Sequence, residues 1–370
     1  MFVTHMKKIL LVAPTEGNGG IQSWTRKYIK DFNYSDYSIT HINVSQRRST
    51  IERSSYILRA IDGLLDLISV YKKVYQTLKN EHFDVFHTTT SGDIGTLRDF
   101  MLCRLCKRHK IKTILHCRYG CIPEDFIKKN LLGFLLRKTM RSFDNVWVLD
   151  SKSLTALKAD PALEETVKLV PNPIRVPLVC NLEPKDYTKV AFIGNMYKTK
   201  GIMELVDAVS KLDNVTLHIV GPNYNNSEEH VRQEYESLID KRIFIHGKLP
   251  NDKAIKILED IDILALPTYY PWEAFPISIL EATSRGKMVI STHRAAIPDM
   301  LTDTDGKRCG CIVDEKSSTQ IADAIKWCQN NKIEADNMCH KAYEKTKNSY
   351  DTSIIYKLYH ELYDQLTSGL

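Results

Sequence analysis

Two glutamates in the C-terminal half stand eight positions apart, in the run Pro271-Trp272-Glu273-Ala274-Phe275-Pro276-Ile277-Ser278-Ile279-Leu280-Glu281. A carboxylate accepts hydrogen bonds from both hydroxyls of a sugar diol, so a pair of carboxylates suits a polyhydroxylated ligand. The run follows a strand-like stretch, Ile263 to Pro267. Pro276 suits the first turn of a helix, where a missing N–H costs nothing. Glu273 is then a loop residue facing a helix N-terminus, and Glu281 lies about one to two turns inside that helix. Backbone N–H groups at a strand-loop-helix junction make a natural anion site. Lys200, in the loop Gly194-Asn195-Met196-Tyr197-Lys198-Thr199-Lys200-Gly201, brings a cation to a second such junction. The chemistry implied is capture of a ligand carrying both phosphate and hydroxyls. Each residue also has an ordinary alternative: a solvated loop glutamate, a helix-face glutamate, a surface lysine.

The N-terminal half offers a second set. Lys8 to Ala13 reads as a buried parallel strand, followed by Pro14-Thr15-Glu16-Gly17-Asn18-Gly19-Gly20 and a helix from Ile21 to about Phe32. The loop lacks the G-x-G-x-x-G dinucleotide fingerprint. Gly19 and Gly20 let backbone approach a ligand closely; the alternative is a plain turn. His87 ends a strand from Asp84, and His116, with Arg118 beside it, ends a strand from Lys112. Ligands of open α/β sheets lie beyond the carboxyl ends of the strands. His116 is therefore the better candidate for contacting a ligand, against the alternative of a structural histidine.

Strands and helices alternate throughout. Tyr37 to Val44, Asn145 to Asp150 and Val167 to Pro171 complete a first sheet, with Arg47 to Arg53 as loop and Tyr56 to Leu78 as helix. Pro171-Asn172-Pro173, Pro177 and Pro184 mark a linker. Val190 to Ile193 begins a fresh sheet, joined by Val215 to Val220, Ile243 to His246, Ile263 to Leu266, Lys287 to Ser291 and Cys309 to Val313. The fold class expected is α/β, with two doubly wound domains facing a central cleft. The boundaries are residues 1–171, a linker over 172–187, residues 188–348, and a last helical segment over 349–370.

The composition, 43% hydrophobic and 26% charged over 370 residues, is that of a soluble globular protein of two domains. The net charge of +6 permits an anionic ligand or a membrane surface without selecting nucleic acid, and no nucleic-acid partner is expected. No run of eighteen apolar residues predicts a transmembrane helix, and no leader is legible before the first strand. Nine scattered cysteines suit a reducing cytoplasm. Cys103, Cys106, Cys117 and Cys121 are only loosely zinc-like, because the first two sit in a helical pattern. Residues 126–141, with five basic and no acidic side chains, read either as a helix lying on anionic lipid or as a sheet-covering helix with a basic outer face.

The ordered set of motifs resembles family-4 retaining glycosyltransferases of the GT-B fold. Gly194 to Gly201 is similar to that family's G-R-x4-K-G loop, and Glu273 to Glu281 to its E-x7-E element. Leu280-Glu281-Ala282, Val289-Ile290-Ser291-Thr292 and Ile297-Pro298 continue the likeness. Gly19-Gly20 and Thr113-x-x-His116 fit more loosely.

The resemblance implies an acceptor-side Rossmann-like domain first and a nucleotide-sugar-binding one second. The final helix, Tyr350 to Leu366, would return to the first domain. Glu273 would contact the donor sugar's hydroxyls, Glu281 the ribose, and Lys200 the diphosphate. Ala274, Phe275 and Ile277 would offer backbone N–H groups. Gly19 or Gly20 would lie near the phosphates, His116 near the transferred sugar, and Arg118 and His87 near donor or acceptor. Three of these, His116, Glu273 and Lys200, are the catalytic candidates. The family's usual arginine is Asn195 here, so one phosphate cation is missing. Ala274 replaces a common glycine, and His293-Arg294 an acidic turn.

The activity implied is retaining, metal-independent transfer of a hexose-type sugar to a glycan or lipid-linked acceptor in surface polysaccharide or glycoconjugate synthesis. It would take place in the cytoplasm, at the inner face of the membrane. The donor is a substrate, no cofactor is expected, and uridine is the expected base because it is common among such donors. Asp260-Ile261-Asp262 and Asp303-Thr304-Asp305 are read as incidental, so no metal is expected. Two alternatives stand: a nucleotide-sugar epimerase of the same fold, and an inactive nucleotide-sugar-binding protein.

Overall fold

The computed structural model describes residues 6–17, 19–45, 56–92, 95–180 and 182–368, with the side chains of 56–61 excepted. The Arg47 to Arg53 loop, Asn18 and Asp93 lie outside them. The chain divides into two compact units, Met1–Val170 with Tyr356–Leu370, and Pro171–Ile355.

The first unit alternates strand and helix. It runs β1 (Lys7–Ala13), α1 (Gly20–Asp31), β2 (Tyr37–Asn43), α2 (Tyr56–Asn80), β3 (Val85–Thr90), α3 (Gly95–Arg108) and β4 (Lys112–Cys117). It continues with α4 (Ile122–Phe126), α5 (Leu131–Met140), β5 (Asn145–Val148), α6 (Ser151–Lys158) and β6 (Val167–Leu169). The six strands are parallel, in the order β2-β1-β3-β4-β5-β6. Both faces are covered, which explains the unbroken apolar run Ile9 to Ala13. Alternate residues divide between the faces. Leu10, Val12, Phe86, Leu115 and Val146 join the core built with α2, α3 and α5.

The second unit runs β7 (Lys189–Ile193), α7 (Ile202–Ser210), β8 (Thr216–Val220), α8 (Ser227–Glu234), β9 (Ile243–Gly247), α9 (Asn251–Asp260) and β10 (Ile263–Leu266). It then adds α10 (Ile277–Thr283), β11 (Met288–Ser291), α11 (Ile297–Met300), β12 (Cys311–Ile312), α12 (Ser318–Asn330), α13 (Lys332–Tyr350) and α14 (Thr352–Thr367). Its parallel sheet is ordered β12-β11-β10-β7-β8-β9. Two doubly wound parallel sheets are thus present, as expected from the alternation of elements. Within α14 the chain passes into the first unit, where Tyr359 and Tyr363 are fully buried and Tyr356 nearly so.

Two local expectations change. Residues 126–141 are not one helix: the chain breaks between α4 and α5. The Asn130 side chain caps α5 by accepting from the Gly133 N–H, and Arg137 donates to the carbonyls of Phe126 and Lys128. Pro276 is the cap residue of α10 rather than its first turn. The two D-x-D triplets have structural work. Asp262 accepts from the N–H groups of Thr188 and Lys189, and Asp303 from those of Asp305 and Lys307.

Candidate active site

In the second sheet the strand order reverses between β7 and β10, and a crevice is expected outside the carboxyl ends of those two strands. The loops leaving them hold Lys200 and Glu273. Gly201 lets the loops close. Its φ is +78°, and a Cβ there would lie 2.2 Å from the carbonyl oxygen of Pro267. The Tyr269 N–H donates to the Thr199 carbonyl at 2.8 Å. Lys200 Nζ then meets Glu273 Oε2 at 2.5 Å, with side chains only 16% and 8% exposed. The ammonium also lies 5.0 Å from the centre of the Tyr270 ring.

The segment after Glu273 is held through its carbonyls. Ala296 N–H donates to Ala274 O, and the buried Asn172 amide to Phe275 O at 3.0 Å. The N–H groups of Ala274 and Phe275 take no partner among the described residues. Ile277 opens α10, and Glu281, half-buried, follows on the same helix. Asn195 is half-buried in the β7 loop.

Motif spacing had not singled out a row of aromatic rings at the same place. Tyr224 stacks on Tyr197 with centroids 4.4 Å apart, Tyr197 on Tyr270 at 5.8 Å, and Tyr270 meets Trp272 edge-on at 5.5 Å. Trp272 is 49% exposed. The available signal was positional: a tyrosine in each loop leaving β7 and β8, and two in the loop leaving β10.

In the first sheet the order reverses between β1 and β3. There a cavity of ≈ 460 Å³ opens, lined by Pro14, Gly17, Gln22, Ser45, Ser91 and Arg98 among others. Arg98 is fixed by Asp99 Oδ1 and the Thr89 carbonyl. Gly19 caps α1, and Gly20 is exposed with open space around it. The position that requires glycine is Gly17, at φ +109°.

His116, Arg118 and His87 meet, but in the interior. Both imidazoles are fully buried and Arg118 is 6% exposed, packed with Trp24, Trp147 and Tyr359. A guanidinium only donates, so Arg118 Nη1 donates to His116 Nε2 at 3.1 Å. His116 Nδ1 then donates to His87 Nε2 at 3.3 Å, and His87 Nδ1 to the Tyr363 oxygen at 2.6 Å. Tyr363 passes its own proton toward Tyr28 at 2.6 Å. Every ring nitrogen is committed. The three residues expected near donor or acceptor are thus buried and bonded to one another, with Tyr359 and Tyr363 of α14 packed against them.

That core has a pH consequence. Burial, and then the Arg118 charge, push His87 from its ordinary 6.5 to about 3, and His116 is lowered well below its ordinary value by the same causes. Folded imidazoles bind fewer protons than unfolded ones between these values. Stability is thus fully present above about pH 6.5 and is lost as pH falls toward 3. The thermal midpoint of the first unit is expected to drop between pH 7 and pH 5, before most carboxylates titrate. Calorimetry showing the same midpoint at both values would contradict this.

Comparison with known proteins agrees with the geometry. Residues 180–348 match the family model described as "Glycosyl transferases group 1". A putative teichuronic acid biosynthesis glycosyltransferase, TuaC of Bacillus subtilis, is 25% identical over 185 residues, 50% of this chain and 44% of that protein. Sucrose-phosphate synthase from Thermosynechococcus elongatus superposes with a TM-score of 0.76 at 14% identity, covering 98% of this chain and 100% of that one. Anabaena HepE in complex with UDP-glucose superposes at 0.69 with 16% identity, covering 97% and 99%. Residues 180–348 thus resemble the group 1 glycosyl transferases, and the chain as a whole has the GT-B fold of these solved structures.

Proposed function

We propose that the second unit binds a nucleotide sugar at the β7–β10 switch point and that the enzyme transfers its hexose-type sugar, with retention, to a glycan or lipid-linked acceptor in polysaccharide synthesis. The observation that carries this is the Lys200–Glu273 pair, closed in by two loops at the place where α/β sheets bind ligands. The family match over the same unit and the UDP-glucose in the HepE structure support a nucleotide-sugar donor.

Lys200 faces the diphosphate, and the free N–H groups of Ala274 and Phe275 face its oxygens. Glu273, oriented by Lys200, accepts from hydroxyls of the transferred sugar, and Glu281 accepts from the ribose. The C1–oxygen bond to the diphosphate breaks and the acceptor oxygen bonds to C1. The acceptor's proton passes to an oxygen of the departing diphosphate, so no protein nucleophile takes part. Charge growing on the leaving group is met by a preorganised cation and amides. Trp272 and Tyr270 offer ring faces to a sugar.

The test is incubation with UDP-hexoses and an oligosaccharide acceptor in EDTA. The expected product has the anomeric configuration of the donor and forms undiminished in chelator. An inverted linkage would overturn retention, and activity abolished by chelator and restored by manganese would overturn metal independence. An epimerised donor without acceptor would favour an epimerase, and tight UDP-sugar binding with no turnover would favour an inactive binding protein.

A further inference from the structure

The break between α4 and α5 creates a protrusion of unusual composition. Ile127 is 73% exposed, Leu131 79%, Leu132 47% and Phe134 56%. Large apolar side chains this exposed and this close together mark a contact surface. Lys128, Lys129 and Lys138 flank them in sequence and are exposed, Lys128 pairing with Asp125 at 2.6 Å, and residues 126–141 contain no acidic side chain. The protrusion is held in place from inside, because Arg137 donates to the carbonyls of Phe126 and Lys128 and Asn130 caps α5.

The surface continues onto α3, which packs on α5. Lys138 Nζ lies 5.2 Å from the Phe100 ring and 6.0 Å from the Phe134 ring, and the Arg104 guanidinium lies 5.8 Å from Phe100. Leu97 is 39% exposed on the same helix. Cations thus rest over aromatic rings beside projecting aliphatic tips. Apolar tips flanked by lysines match the boundary between acyl chains and anionic headgroups, where both groups are satisfied at once.

We propose that the α3–α5 face of the first unit docks peripherally on an anionic lipid bilayer, inserting Ile127, Leu131 and Phe134 while Lys128, Lys129 and Lys138 engage headgroup phosphates. Charge complementarity selects the bilayer over an uncharged partner. Among the described residues no helix is long and apolar enough to cross a membrane, so the contact is with one leaflet. The docking face goes beyond the donor site and stands without it, since lipid binding and sugar transfer are separate readouts.

The test is co-sedimentation of the full chain with vesicles of phosphatidylcholine alone or with phosphatidylglycerol. Binding to the anionic vesicles is expected, weakening with added salt. A Leu131→Ser, Phe134→Ser double variant and a Lys128→Gln, Lys129→Gln, Lys138→Gln triple variant should each bind at least tenfold more weakly, with unchanged melting temperature and unchanged transfer to a water-soluble acceptor. Equal binding to neutral and anionic vesicles, or full binding by both variants, would overturn the proposal. So would self-association in solution abolished by the same substitutions, because it would assign the face to a second copy of the chain.

Discussion

Replacing Lys200 by methionine is expected to lower the rate at saturating donor by about 10²- to 10³-fold. Lys200 Nζ stands at a site only 16% exposed, within 2.5 Å of Glu273. Water screens a charge there less than at an open surface. Methionine keeps an unbranched stem of similar length against Tyr270, so the change removes charge more than packing. Under the proposed function it also leaves the Glu273 carboxylate without its cation, facing the leaving diphosphate as an uncompensated like charge. Both effects raise the barrier to breaking the glycosyl–phosphate bond. Steady-state kinetics and a thermal melt of the same sample separate catalysis from folding. A rate within threefold of the parent in a folded variant would remove Lys200 from the leaving-group site. A rate loss matched by loss of the folded state would leave the role to be decided by Lys200→Arg, which restores the charge and should recover activity.

Gly201→Ala should act through the backbone at the same place. The residue is at φ +78° and its Cβ would lie 2.2 Å from the Pro267 carbonyl oxygen, a backbone atom that cannot rotate away. The left-handed conformation costs an alanine about 1–2 kcal/mol and the overlap about 1–3 kcal/mol more. A fall in the melting temperature of roughly 5–15 °C is expected for a unit of this size. The loop carrying Lys200 would also shift away from Glu273, so activity should fall in whatever fraction remains folded. Gly20→Ala is the matched control. Gly20 has open space where a Cβ would go and no left-handed φ, and its substitution should change stability by less than about 0.5 kcal/mol. Equal melting temperatures for the two variants would show that the close approach of the β7 and β10 loops is not required.

These predictions differ in where they were legible. The buried strands announced themselves as short apolar runs, and the residues that end helices or turn loops stood beside them, as with Gly201 before Ile202. The loop leaving β7 and the loop leaving β10 could be aligned by type from the string of residues. Their contact needed the sheet order, in which β10 lies beside β7 although residues 194–262 separate them in the chain.

Burial was the less legible quantity. His87 and His116 sit at strand ends, where an exposed site residue and a core residue have the same neighbours in sequence. What decides between them is α14, more than two hundred residues away, whose Tyr359 and Tyr363 close over the rings. Residues 126–141 carried a helix-like pattern, and a single side chain–carbonyl clasp from Arg137, with the Asn130 cap, broke it into two elements. Arg98 gave no local signal and the Tyr224–Tyr197–Tyr270 row only a positional one, since their meaning lies in neighbours brought from other loops.

The amino-acid order alone settled the alternation of strands and helices, the two sheets and the loops able to carry charge, because periodicity, caps and turn residues act over a few positions. Only the folded chain settled which of those groups face solvent and which are sealed, because burial depends on surfaces contributed by segments distant in sequence.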